Sequence, residues 1–199
     1  MKHNISESSK KLIVIACSTG GPKALDAILP SLPEDFPYSV LIVQHMPVGF
    51  TFSLANRLDV LSQVKVKEAK DHEQLKDNMI YIAKGGSQMQ IRNKGQSFKI
   101  VLTDEAGING LKPCADILLE SLIDTSFQKI ICVVLTGMGS DGKLGLKKLK
   151  KKKDVYVIAQ DEETCTVFGM PKAVIDYGLA DEVVPLESVA ASIIRNLEE

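Results

Sequence analysis

The sequence has no excess of positive charge, no apolar run long enough to cross a bilayer, no C-x-x-C pair and no G-x-G-x-x-G after its first apolar run. Each absence closes a class. With 24 Lys+Arg against 25 Asp+Glu, the formal charge of −1 supplies no global field for DNA, RNA or anionic lipid. Membrane insertion is not expected, because a helical span needs roughly 20 consecutive apolar residues. The opening Met1-Lys2-His3-Asn4-Ile5-Ser6-Glu7 lacks the apolar stretch of a signal peptide, so the expected location is the cytoplasm. The cysteines Cys17, Cys114, Cys132 and Cys165 are far apart, which argues for free thiols, three of them small core residues, and against a zinc site. Without a glycine-rich fingerprint and its acidic ribose partner, a dinucleotide oxidoreductase is disfavoured, and neither a metal nor a cofactor is expected.

What is present describes one ordinary globular domain. The 199 residues are 45% hydrophobic and 25% charged, and a chain of this size can bury roughly 70% of its unfolded surface without cross-links. Residues 1–10 read as a polar tail and 11–199 as a single domain. Short β-branched runs at 11–16, 39–44, 129–135, 155–159 and 182–184 alternate with helical patterns. Those helices fall from Pro22 to Leu29, around Phe52, Leu54, Ala55 and Leu58, and at 113–123, 142–152, 170–177 and 186–197. Such alternation predicts an α/β fold: a doubly wound, mostly parallel, Rossmann-like sheet. Residues 62–104 have shorter alternating segments broken by Gly-Gly and Asn-Lys-Gly, which predicts a small antiparallel β insertion carried on one edge.

Sites on doubly wound sheets lie beyond the C-terminal ends of the strands, and that rule selects Cys17 to Gly21, Gln44 to Pro47 and Thr136 to Gly142. Ser18 falls in a strand-to-helix turn where Gly20 and Gly21 permit close backbone approach, a geometry that suits a nucleophile. Ser-Thr-Gly-Gly could equally cradle an anion or cap a helix. A serine needs a base, and of His3, His45 and His72 only His45 directly ends a buried run; its bland alternative is a backbone-bonded strand end. Asp141, in the glycine-rich loop after the most apolar strand, leads as the orienting carboxylate, with Asp104, Asp116 and Asp161 as competitors and a helix cap as its alternative role. Cys17 is a rival nucleophile beside Ser18. The run Lys147, Lys148 and Lys150 to Lys153 reads as a solvated helix face.

Taken together, Ile15-Ala-Cys-Ser-Thr-Gly-Gly-Pro22, Val43-Gln-His-Met-Pro47 with Gly49-Phe-Thr51, and Leu135-Thr-Gly-Met-Gly-Ser-Asp-Gly142 resemble the catalytic domain of the chemotaxis protein-glutamate methylesterases, the CheB family. Ala159-Gln-Asp-Glu162 and Val167-Phe-Gly-Met-Pro171 extend the resemblance, which covers roughly residues 11 to 198 in order. It implies a Ser18, His45, Asp141 triad that hydrolyses methyl esters of glutamate side chains on methyl-accepting chemoreceptor helices and releases methanol. Deamidation of receptor glutamines is implied as related chemistry. Thr19 and Met138 would supply backbone N–H donors to the oxyanion, with Gly20, Gly21 and Lys112 lining the substrate site.

The sequence departs from the family in three places. Family members usually carry an N-terminal receiver domain, and only about ten polar residues precede the first strand here, which is read as a stand-alone catalytic chain or an excised fragment. Gln88 stands near a family histidine. Lys112 and Cys114 stand where the family has Arg and Ser, and Lys cannot form a bidentate contact with a carboxylate. The competing reading is a receptor-docking or anion-binding module of the same fold without covalent chemistry.

Overall fold

The computed structural model describes residues 11–95 and 97–198; the tail expected at 1–10 lies outside the described residues. In chain order the elements are β1 (Lys11–Cys17), α1 (Gly21–Ile28), β2 (Ser39–Gln44), α2 (Phe50–Leu61), β3 (Lys65–Glu68), β4 (Met79–Ile82), β5 (Gln88–Lys94), β6 (Ser97–Thr103), α3 (Ala115–Ser121), β7 (Lys129–Val134), α4 (Lys143–Leu149), β8 (Asp154–Gln160), α5 (Gly169–Asp176), β9 (Glu182–Val184) and α6 (Val189–Glu198).

Seven strands form one sheet in the order β3-β4-β2-β1-β7-β8-β9, and each neighbouring pair is parallel. The apolar runs follow from this arrangement. Along β1, Leu12, Val14 and Ala16 face a core shared with α3, α4, α5 and the β5–β6 hairpin, whereas Ile13, Ile15 and Cys17 face α1, α2 and α6. A strand covered on both faces needs an apolar residue at every position, which is why β1, β2 and β7 read as continuous runs.

One expectation is corrected. The segment 62–104 is not wholly an antiparallel excursion, because β3 and β4 join the main sheet as parallel strands and only β5 and β6 pair antiparallel. β3 is an edge strand, with Lys65 exposed and Val66 buried, so its alternation matches that of a hairpin strand. β4 is short and lies inside the sheet, buried from Ile80 to Ile82.

Strand order also places the site. The chain leaves β1 for β2 on one side and later returns to β7 on the other, and crevices that take ligands form where a parallel sheet reverses direction in this way. Ser18 follows β1, His45 follows β2, and Asp141 lies in the loop after β7.

Candidate active site

Backbone hydrogen bonds carry the sheet beyond its last strand pairs and fix the three ends together. Leu135 N–H donates to the Ala16 carbonyl at 2.9 Å, Ser18 N–H to the Thr136 carbonyl at 3.0 Å, and His45 N–H to the Cys17 carbonyl at 3.1 Å. Ser18 is thus held between the end of β2 and the end of β7. The turn after it tightens through Gly21 N–H on the Ser18 carbonyl at 2.8 Å, and Gly20, at a φ of 85°, caps α1.

The Thr136 hydroxyl donates to the Thr19 carbonyl at 2.9 Å and accepts from Val167 N–H at 3.0 Å. It therefore joins the Ser18 turn to the loop carrying Gly137 and Met138. A Cβ on Gly137 would lie 2.8 Å from Ser18 Cβ and 2.4 Å from Met170 Sδ, so this position must be glycine for the loop to approach the serine. Met138 follows with its side chain 70% exposed beside the site.

His45 and Asp141 meet. His45 Nε2 lies 2.7 Å from Asp141 Oδ2, with the two side chains 11% and 2% exposed. The same Oδ2 accepts from Ala115 N–H at 2.7 Å, while Oδ1 accepts from Asp116 N–H at 2.9 Å, Gly142 N–H at 3.0 Å and the Cys114 thiol at 3.1 Å. Burial acts to raise the Asp141 carboxyl, but the hydrogen bonds from His45, Ala115, Asp116 and Cys114 outweigh it and hold the group below its ordinary value. An ionised carboxylate only accepts, so His45 Nε2 is the donor of the shared bond and Nδ1 is the ring nitrogen left outside it. In the familiar serine-protease triad the two nitrogens have the opposite assignments.

The rivals named from the sequence lie elsewhere or are occupied. Cys17 is fully buried and points into the α1, α2, α6 core, where desolvation pushes its thiol far up, so it is not an available thiolate. His72 is exposed in a turn beside Asp71, and His3 lies outside the described residues. Asp104 is exposed on Lys112, and Asp161 accepts from Thr164. Lys112 precedes Pro113 and α3, with its ammonium 2.7 Å from both the carbonyl and the carboxylate of Asp104. The lysine run is tied down in part, Lys148 by Glu120 and Lys150 by Asp181.

The Cys114, Asp116 and Asp141 side-chain atoms lie within 4.8 Å of one another; three backbone N–H groups and the Cys114 thiol donate to Asp141, and Gly145 N–H donates to Asp116. Hydrogen bonding accounts for the cluster. Desolvation, with the Asp141 charge second, pushes the Cys114 thiol up to about 12, which keeps it protonated as a donor.

Three buried glutamines frame the site, and sequence reasoning assigned them no such task. Gln44 Nε2 donates to the Ser18 and His45 carbonyls, each at 3.0 Å, and its Oε1 accepts the Cys17 thiol at 3.1 Å. Gln160 accepts from Thr136 N–H at 2.8 Å and donates to the Thr164 carbonyl at 2.8 Å. Gln88 donates to the Leu111 carbonyl at 2.8 Å and accepts from Cys114 N–H at 2.9 Å, which fixes the lead into α3. The available signal was a glutamine closing an apolar run, in Val-Leu-Ile-Val-Gln44 and in Val-Ile-Ala-Gln160.

Comparison with known proteins gives the family and the fold. The family described as CheB methylesterase matches residues 13–193. A protein-glutamate methylesterase/protein-glutamine glutaminase of Halalkalibacterium halodurans is 49% identical over 94% of this chain and 54% of that protein. Its namesake in Archaeoglobus fulgidus is 43% identical over 94% of this chain and 53% of its own length. The chain therefore spans about half the length of the curated relatives it matches. The crystal structure of the Thermotoga maritima CheB methylesterase catalytic domain superposes with a TM-score of 0.90 at 44% identity, covering 94% of this chain and 98% of that one. By sequence and by fold, the chain belongs to the CheB methylesterase family.

Proposed function

We propose that this chain is a serine hydrolase that removes methyl esters from glutamate side chains of chemoreceptors, releases methanol, and deamidates receptor glutamines by the same route. The observation that carries the reading is the 2.7 Å contact between His45 Nε2 and Asp141 Oδ2, at strand ends directly adjoining Ser18. An anion-binding turn has no use for an imidazole held by a buried carboxylate, so this pair favours chemistry over a docking module. The names of the relatives supply the substrate class.

His45 Nδ1 takes the Ser18 proton as the serine oxygen bonds to the ester carbonyl carbon. Asp141 remains ionised and stabilises the imidazolium. The N–H groups of Thr19 and Met138 receive the developing oxyanion, where one donor is worth roughly 10²-fold or more in turnover. Collapse breaks the bond to methoxide, which leaves as methanol with the proton from His45. Water then adds to the acyl-enzyme with His45 again as base, and the free glutamate and Ser18 are restored. With a glutamine substrate the leaving group is ammonia.

Gly20 and Gly21 shape the turn under the ester, and Lys112 lines the approach for receptor helices. The expected setting is the cytoplasm. No helix among the described residues is long and apolar enough to cross a membrane.

The test is methanol release from a methylated chemoreceptor cytoplasmic fragment, with Ser18→Ala at equal concentration. Release that disappears in the variant, together with labelling of Ser18 by a fluorophosphonate, is the expected result. A folded protein that neither releases methanol nor labels would favour a docking module or a missing activator.

A further inference from the structure

Asp116 is a buried carboxylate that the reaction above does not use. It lies in the first turn of α3, and its Oδ1 accepts from Gly145 N–H of α4 at 2.6 Å. Asp141, in the segment leading into α4, accepts in return from the N–H groups of Ala115 and Asp116 at the start of α3. Each helix start is therefore closed by a carboxylate carried on the other. The helices meet closely there, since a Cβ on Gly145 would lie 2.8 Å from the Asp116 carbonyl oxygen and from Leu119 Cβ.

We propose that Asp116 is a positioning residue for the catalytic carboxylate: by holding α4 against α3 through Gly145 N–H, it fixes the direction from which Asp141 meets His45. This rests on the reading of Asp141 as the partner of His45 in catalysis. Asp141 is followed at once by Gly142 and α4, so any displacement of α4 moves the carboxylate relative to the ring. The amide protons of Ala115 and Asp116 define one end of that carboxylate's position, and the α4 backbone defines the other.

Asp116 has charged neighbours on both helices. Asp141 lies across from it, Glu120 is on its own helix, and Glu120 is paired with Lys148 of α4 at 2.6 Å. Gly142 N–H also supports its charged form, and the Cys114 thiol lies in the same cluster. An oxygen acceptor at position 116 is what the clasp needs, and an amide supplies one as well as a carboxylate does.

The test compares Asp116→Ala, which leaves Gly145 N–H without its acceptor, with Asp116→Asn, which keeps an oxygen there. Two readouts need no receptor: the rate at which a fluorophosphonate acylates Ser18, and the NMR signal of the His45 Nε2 proton. Misplacement of a catalytic group by a fraction of an ångström to 1 Å costs between about 10-fold and 10²-fold, so Asp116→Ala is expected to slow labelling by about 10-fold or more. It should also shift or broaden the imidazole signal, and Asp116→Asn should restore both. A purely structural role would lower the unfolding midpoint and leave both readouts unchanged in the folded protein.

A folded Asp116→Ala protein with wild-type labelling and signal overturns the proposal, as does an Asn variant as slow as the Ala variant. If Asp116→Ala does not fold, Gly145→Ala takes its place, because it keeps Asp116 and pushes α4 away from it. Slower labelling is then expected, and a wild-type rate with an unmoved imidazole signal overturns the clasp. Should no receptor be demethylated, these readouts still judge the clasp; should the clasp fail, methanol release by the unaltered protein still judges the function.

Discussion

The side-chain amide of Gln44 donates to the carbonyls of both Ser18 and His45, each at 3.0 Å, from a position only 2% exposed. One amide group thus ties the turn of the proposed nucleophile to the strand end of the proposed base. Gly21 makes room for it, since a Cβ there would lie 2.0 Å from Gln44 Oε1.

Replacing Gln44 by Leu is expected to remove the side-chain donor to both carbonyls and the acceptor of the Cys17 thiol; the Ser18 carbonyl keeps Gly21 N–H and the thiol keeps the Val43 carbonyl, so the His45 carbonyl loses most. Unsatisfied buried polar groups cost about 1–3 kcal/mol each before relaxation, so a lower urea midpoint is predicted. Fluorophosphonate labelling of the folded fraction should slow by about 10-fold, because the Ser18 turn loses its register with His45. Labelling at the wild-type rate would mean that the backbone bonds alone set this geometry.

Gly137→Ala addresses the other wall of the serine. The added methyl would lie 2.8 Å from Ser18 Cβ, 3.1 Å from Ser18 N and 2.4 Å from Met170 Sδ. Overpacking of this kind costs about 1–3 kcal/mol and displaces the Met138 loop from Ser18. The predicted outcome is a destabilised protein with a large fall in kcat for methanol release, read by thermal unfolding and the methanol assay together. Full activity would show that the Met138 loop does not need its present approach to Ser18.

The three strand-end segments were legible because their chemistry is local: a small glycine-rich turn, a histidine closing an apolar run, and an aspartate in a loop of glycines. The α/β alternation was legible for a similar reason, since strands covered on both faces leave unbroken apolar runs. The placement of β3 and β4 was not, because edge-strand alternation at Lys65 and Val66 carries no information about the direction of the partner. Asp116 was legible only as one competitor of Asp141. Its position opposite Asp141 depends on how α3 packs on α4, and local spacing does not encode that contact. Gln88, read as standing near a family histidine, proves to be buried and to brace the lead into α3.

Cys17→Ala separates the two candidate nucleophiles. Cys17 is buried, and desolvation disfavours its thiolate, so the variant should label with fluorophosphonate at close to the wild-type rate. Its thiol donates to Gln44 Oε1, and loss of that bond should cost about 1 kcal/mol of stability. In the unaltered folded protein, iodoacetamide should leave Cys17 unmodified. Loss of fluorophosphonate labelling in a folded Cys17→Ala protein would reopen the question of which side chain reacts.

Asp116 and Asp141 are expected to make stability depend on pH in opposite senses. Burial, opposed by Gly145 N–H and aided by the Asp141 charge, pushes Asp116 from an ordinary 3.8 up to about 6. Between those values the folded protein binds a proton that the unfolded chain has released. The contribution of Asp116 is therefore complete below the unfolded value and is lost as pH rises through about 6. Asp141 is held below its ordinary value, so its contribution is present above that value and is lost as pH falls through the folded one. Asp116→Asn removes the first dependence and leaves the second. The difference in urea unfolding free energy between wild type and variant should change by about 2 kcal/mol between about pH 4 and pH 8. At the acid end the wild type should be the relatively more stable of the two. Parallel curves across that range would mean that Asp116 does not titrate there, and that the clasp between α3 and α4 keeps the same charge throughout.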